Sequence, residues 1–357
     1  MSNADRRRRA AVTVALGVAL LAHAATGSAR AQDARPDLVT SYLAVITEYV
    51  TGDPVQAVAS LRRWSPSNTI PVQRSAVWDA RTLRAAAMLE TDAAFDARTT
   101  LEAMTSRLEN AGQWLVQAET IARDADTSRI RRHWHLVVGR QLIWNGFMGI
   151  ADRILAAACR LYPGDIDLLF ASGTAKESLA QSFVVDPSLP RWQISALRKR
   201  RTDTLADART IFERVVKSSP AAQEAKVRLA RLLILQGDDR RAAVLLEGAR
   251  AGAPPLRPEV RYLASLLLGE LRTRDGQLPH AIELFREARG LIPGGQSAYL
   301  AHARALQAAG QIDAAASVVQ EMLARPFQGT DPWRQYPLGF DEAAMNLAPL
   351  RDEVRRR

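Results

Sequence analysis

The densest pair of metal-type side chains in this sequence is His133-Trp134-His135. On a helix, residues two apart point to different faces, so these imidazoles cannot close on one ion. No third ligand stands nearby, and His280 and His302 are isolated. The pair is therefore expected to pack or to line a surface, with no metal. Cys159 is the single cysteine, which excludes an intrachain disulfide and a thiolate cluster. It lies among apolar positions and is expected to be an inert core thiol. Acidic residues are scattered, and Asp238-Asp239 reads as a helix cap. There is no Gly-x-Ser-x-Gly, no Gly-rich phosphate loop and no His-Glu-x-x-His. The expectation is a non-catalytic chain without a cofactor.

Arg198-Lys199-Arg200-Arg201, with Trp192 close by, is the other stretch with chemistry to offer. Such a run contacts phosphate or stays solvated. An anionic lipid headgroup or an acidic cell-wall polymer suits it better than nucleic acid, because the chain carries signs of export. Arg6–Arg9 precede an apolar run, 10–25, and Ala29-Arg30-Ala31 forms an A-x-A cleavage site. These predict a signal peptide over 1–31, a mature start at Gln32, and a periplasmic or secreted protein. The alternative is an inner-membrane anchor by an uncleaved signal, although the apolar run is short for a span of ~20 residues.

Of the formal +10 charge, residues 1–31 supply five Arg against Asp5. The remainder is mildly basic, and almost all of it is Arg. The only lysines are Lys176, Lys199, Lys217 and Lys226. With 47% apolar residues the chain has enough material for a folded core.

The elements that must position these groups recur. Ala230, Gly237, Ala242, Leu246, Ala249 and Pro254 mark two short amphipathic helices, a turn and a stop. Gly269, Gly276, Ala281, Phe285, Ala288 and Pro293 repeat the spacing, as do Gly139, Gly146, Ala151, Leu155, Ala158 and Pro163. Ala303, Gly310, Ala315, Val319 and Met322 follow it, with Phe327 in the Pro column. Ala208, Phe212, Val215 and Pro220 supply a further second helix. The steps Pro220 to Pro254 and Pro293 to Phe327 are 34 residues, and Pro254 to Pro293 is 39. The pattern resembles the tetratricopeptide repeat, most strongly over 132–328 and more weakly over 37–67. The resemblance implies an all-α, right-handed superhelical solenoid of helical hairpins, ended by a capping helix.

It also implies a concave groove lined by the first helices, into which the residue after each small one points. Those residues are Arg140, Thr174, Arg231, Glu270 and Arg304, flanked by His133, Trp144 and Phe170. The arginines suggest a protein or extended peptide partner with acidic character. The clamps of some family members use Asn and Lys at these places, and this sequence has neither there.

The expected organisation is degenerate N-terminal helical repeats over 32–126 and a repeat array over 127–328. The array divides into 132–163, 164–220, 221–254, 260–293 and 294–328, and 329–357 holds a connector and the capping helix. Pro163 to Pro220 is 57 residues, so the second unit carries an insertion of about 184–203. It reads as a loop with a short helix near Trp192–Arg200, whose contacts would be Trp192, Arg198, Lys199, Arg200 and Arg201. Over 72–126 the reading is helical without a register; 98–109 either extends the first helix or forms its own. The function expected is an exported scaffold for protein–protein binding. Alternatives are a structural subunit of an envelope or secretion complex and, in another class, an α-helical carbohydrate-active enzyme.

Overall fold

A computed structural model describes residues 76–324 and 331–335, apart from 97, 123–124 and 184–185. The export signal, the weak repeat over 37–67, Phe327 and the final capping helix lie outside these residues. All regular elements among the described residues are helices. In order they are α1 (Ala76–Ala94), α2 (Leu101–Ala122), α3 (Ala125–Trp144), α4 (Met148–Leu161), α5 (Ile166–Ser182) and α6 (Arg191–Ser218). Then come α7 (Gln223–Leu235), α8 (Asp239–Ala251), α9 (Pro258–Arg274), α10 (Leu278–Leu291), α11 (Gln296–Ala308), α12 (Ile312–Ala324) and the single turn α13 (Pro332–Gln335). The chain divides into two compact units, with the boundary between Trp134 and His135.

In the N-terminal unit α1 and α2 pair as a hairpin. Residues 101–109 belong to α2 instead of extending α1. The reason is local. Asp96 accepts from the backbone N–H and the guanidinium of Arg98, at 2.9 and 2.8 Å, and closes a tight turn. Arg98 holds the Asp96 carboxyl down to about 2. The Thr100 hydroxyl then accepts from the Ala103 N–H, which starts α2. Buried Trp134 donates its indole N–H to the Thr91 hydroxyl at 2.8 Å, so this core is satisfied as well as filled.

In the unit His135–Asn346 the described helices form an α-solenoid, and from α4 to α12 each packs on its neighbour in sequence. One continuous apolar core runs from Leu169 to Val318. Its second-helix face is made by the repeated Ala, large and small columns, and Ala208, Phe212, Val215, Ala242, Leu246, Ala249, Ala281, Phe285 and Ala288 are all buried. These positions recur at i, i+4 and i+7, a single face of an α-helix.

Two columns show why the sequence has to be as it is. At the turn, Gly237 adopts φ 81°, and Gly146, Gly276 and Gly310 adopt 84°, 73° and 74° in their own hairpins. The Gly237 N–H bonds the Ile234 carbonyl at 3.1 Å, and the Asp238 N–H bonds that of Leu233 at 3.0 Å. That is the six-to-one, five-to-two closure of a Schellman motif, and it needs a residue at ease with positive φ. In the small column, a Cβ built on Gly173 would lie 2.8 Å from the Phe212 ring, and one on Gly139 would lie 2.5 Å from Leu155. The large residue of the second helix fills the space that the missing side chain leaves, which brings the two helices of a hairpin together.

The insertion departs from its expected form. It is not a loop with a separate short helix: from Arg191 onward it is the N-terminal extension of the second helix, α6, which runs 28 residues without a break. Arg191–Asp207 contains no Gly or Pro, and Pro190 sits at the N-cap, so nothing stops the helix between Pro190 and its packed half. Full burial of its inner face begins only at Ala208.

Candidate functional site

The candidate site is the face built by first helices α5, α7, α9 and α11, with α9 touching both α7 and α11. Glu177 on α5 is fully buried and accepts from two arginines of α7. The Arg228 guanidinium reaches its Oε2 at 3.0 Å and the Arg231 guanidinium its Oε1 at 2.8 Å. Arg228 is itself buried, also bonds Glu224 at 3.1 Å, and lies 5.7 Å from the centre of the Phe170 ring. One carboxylate with two guanidiniums thus ties one hairpin to the next.

The same face receives the chain beyond the last hairpin. Asp331, almost fully buried, accepts from the Ser297 N–H at 2.8 Å and from the Tyr262 hydroxyl at 3.1 Å. Ser297 lies in the first turn of α11, so the carboxylate meets an unpaired helix-start donor and the positive end of the helix dipole. Burial, then the adjacent Asp331 charge, pushes the Tyr262 phenol well above its ordinary range, so it stays a donor. Two residues on, Trp333 lies 5.9 Å from the Arg231 guanidinium, within cation–π range.

The predicted site residues therefore separate. Arg231 is engaged by Glu177 and Trp333. Thr174 is buried, and its hydroxyl donates to the Phe170 carbonyl at 3.0 Å within α5. Phe170 is half-buried beneath Arg228 and beside Phe212. Arg140 and Trp144 are half-buried on α3, and His133 is half-buried in the N-terminal unit. Glu270 on α9 and Arg304 on α11 are exposed, and neither forms an ion pair among the described residues.

Glu270 is open to solvent, yet loss of surrounding water raises its carboxyl pKa, while Arg274, Arg231 and Arg304 pull it down. Glu270, Arg231 and Arg304 thus lie near one another on the face of the first helices. Exposed Leu300, one turn before Arg304, gives it an apolar edge. Glu177, Arg228 and Asp331, which organise this face, were not singled out from the sequence. Each acts through a partner tens of residues away, and no local spacing marks such pairs.

The insertion residues stand on the exposed half of α6. Trp192 is 71% exposed. Lys199 pairs with Asp203 at 2.6 Å, Arg200 lies 4.7 Å from the Phe183 ring centre, and Arg198 and Arg201 are exposed. Cys159 is half-buried against the core, and desolvation raises its thiol pKa. Among the described residues no group of three His, Cys, Asp or Glu is placed to hold a metal ion, and no helix is long and apolar enough to cross a membrane.

Stacked hairpins with a continuous core and an open first-helix face define a helical-repeat protein. Residues 203–267 match the tetratricopeptide repeat family, so this stretch carries tetratricopeptide repeats. No curated protein matches the sequence. Among solved structures, the crystal structure of MamA is 18% identical over 54% of this chain and 90% of its own, with a TM-score of 0.41. MamA 41-end from Desulfovibrio magneticus RS-1 is 20% identical over 54% and 93%, with a TM-score of 0.41. A fold of this kind is suited to protein–protein interaction.

Proposed function

We propose that this protein is an exported, non-catalytic scaffold that holds an extended segment of a partner protein on the face of its first helices. The observation that carries the reading is the pair Glu270 and Arg304. They are opposite charges on neighbouring helices, exposed near one another on the first-helix face, and without an ion-pair partner among the described residues. A partner carboxylate suits Arg304, and a partner cation suits Glu270. Arg231 supports the face instead of meeting the ligand, because Glu177 and Trp333 already hold it.

The test is in-cell crosslinking with mass spectrometry on wild type, Arg304→Glu and Glu270→Lys. Loss of the same crosslinked partner segment in both variants, with circular dichroism unchanged, supports the reading. Crosslinks that persist in both variants overturn it.

Export rests on Arg6–Arg9, the apolar run 10–25 and Ala29-Arg30-Ala31. Fractionation with N-terminal sequencing is expected to find a periplasmic or secreted protein beginning at Gln32. A second reading, an assembly subunit of an envelope complex, draws on the exposed half of α6 with Trp192, Arg198 and Arg201. Under that reading deletion of 184–203 abolishes the partner while Arg304→Glu does not.

A further inference from the structure

A repeat array supplies its own internal controls. Successive second helices α8 and α10 are joined by an ion pair from Arg250 to Glu287, and α10 and α12 by one from Arg289 to Glu321. The two pairs occupy equivalent places in the repeat: Arg directly follows the small column at Ala249 and Ala288, and Glu directly precedes it at Ala288 and Met322. At the preceding step, α6 to α8, the equivalent positions are Val216 and Gly248. Gly248 is exposed, and a Cβ there would meet open space. The clasp is absent at that step, and a cavity of about 570 Å³ opens there, lined among others by Val216, Val244, Leu245 and buried Leu229. Val244 is 65% exposed, and its equivalent in α10 is the charged Glu283. The array thus places aliphatic side chains at the step where the following one carries charge.

The rim has a sign. Lys217, Arg240, Arg241 and Glu213 border the cavity. Glu213 lies 3.5 Å from Arg241 and 3.6 Å from Arg209, which offsets its charge locally. Lys217 and Arg240 are exposed and form no ion pair among the described residues. An aliphatic floor with two uncompensated cations fits an occupant that is apolar along its length and carboxylate-bearing at its edge. The cavity has the size of a ligand pocket, but the exposure of Val244 shows that one side faces water. An occupant seated there keeps one face solvated, as a segment of a larger partner does.

We propose that the α6–α8 step is a second docking site, distinct from the first-helix face, for a partner peptide segment with large aliphatic residues next to Asp or Glu. There Val216 and Gly248 stand in place of the Arg–Glu clasp of the next step, and Glu213 and Arg241 pair at the rim instead.

The experiment selects from a phage-displayed random dodecapeptide library on the immobilised full chain, then measures the enriched peptide, fluorescein-labelled, by anisotropy. Enriched peptides are expected to combine at least two Leu, Ile, Val or Met with Asp or Glu. The double variant Val216→Arg with Gly248→Glu copies the clasp of the next step and is expected to weaken binding at least tenfold, with circular dichroism unchanged. Val244→Glu, on an exposed position, gives the same reading should the double variant fold poorly. Arg304→Glu is expected to leave this binding unchanged, which separates the site from the first-helix face. Four outcomes overturn the proposal: no enrichment above the clasp variant, enriched peptides without acidic residues, displacement by dodecanoate, or a homodimer in sedimentation that the clasp variant dissolves. The third would make the groove a fatty-carboxylate site, and the fourth an interface between copies of this chain.

Discussion

Gly173 shows how little room a single position leaves. Alanine is the better helix former by about 1 kcal/mol. Its Cβ, however, would stand 2.8 Å from the Phe212 ring, and overpacking of this kind costs roughly 1–3 kcal/mol. Gly173→Ala is therefore expected to lower the midpoint of urea unfolding, and pairing it with Phe212→Leu is expected to recover part of the loss. His302 is a second case. It is buried, and its Nδ1 accepts from Arg289 at 2.8 Å. Burial, then the charges of Arg289 and Arg286, holds it down to about 4. The unfolded chain takes up a proton near pH 6.5, whereas the folded chain resists until about 4. His302 therefore costs stability as pH falls from about 6.5 toward 4, and adds no further loss below that. Thermal melts across this window are expected to slope less steeply for His302→Gln than for wild type.

At the scale of the element, α6 holds two different helices in one. From Ala208 onward it is a repeat helix with a buried Ala, Phe and Val face. Before that it is mostly solvated, and its cations surround it instead of gathering on one side. Local propensity extends the helix, although none of its residues before Ala208 is fully buried. Leu197→Pro is expected to lower far-UV helicity by about two turns while shifting the melting temperature little, because the bonds lost are exposed. Phe212→Ala in the packed half is expected to cost roughly 3–5 kcal/mol by urea unfolding. The spacing of Pro163 and Pro220 exposed the presence of extra residues. It could not show whether they form a loop or a helix, since both are compatible with a polar, Gly-free stretch.

At the scale of the whole molecule, the core passes from hairpin to hairpin, and polar contacts determine how tightly neighbours are joined. Glu177 is the clearest joint, a buried carboxylate shared by Arg228 and Arg231. Its removal takes from buried Arg228 the carboxylate of the neighbouring hairpin, for which the expected cost is about 3–5 kcal/mol. Glu177→Ala is expected to split the single unfolding transition into two, because nearest-neighbour coupling is what makes a repeat array cooperative. Hydrogen exchange would show α7 opening earlier than α9 in that variant. Arg231→Glu is expected to behave like Glu177→Ala, as a loss of folding rather than of binding alone.

The sequence alone was enough to determine the hairpins. The small residue, the turn glycine, the Ala–large–small face and the closing proline each act within some thirty residues, so their physics is written in local spacing. The Arg and Glu columns of the second helices were also present in the repeat register, although nothing marks them until Arg250 and Glu287 meet. Only the tertiary structure decided which charges face a ligand. Four first-helix positions with equal claims became a joint at Arg231, an open pair at Glu270 and Arg304, and a buried hydroxyl at Thr174. The reason is that a charge is neutralised or left available by groups brought to it from other hairpins, and the periodicity of one helix carries no information about its neighbours' side chains.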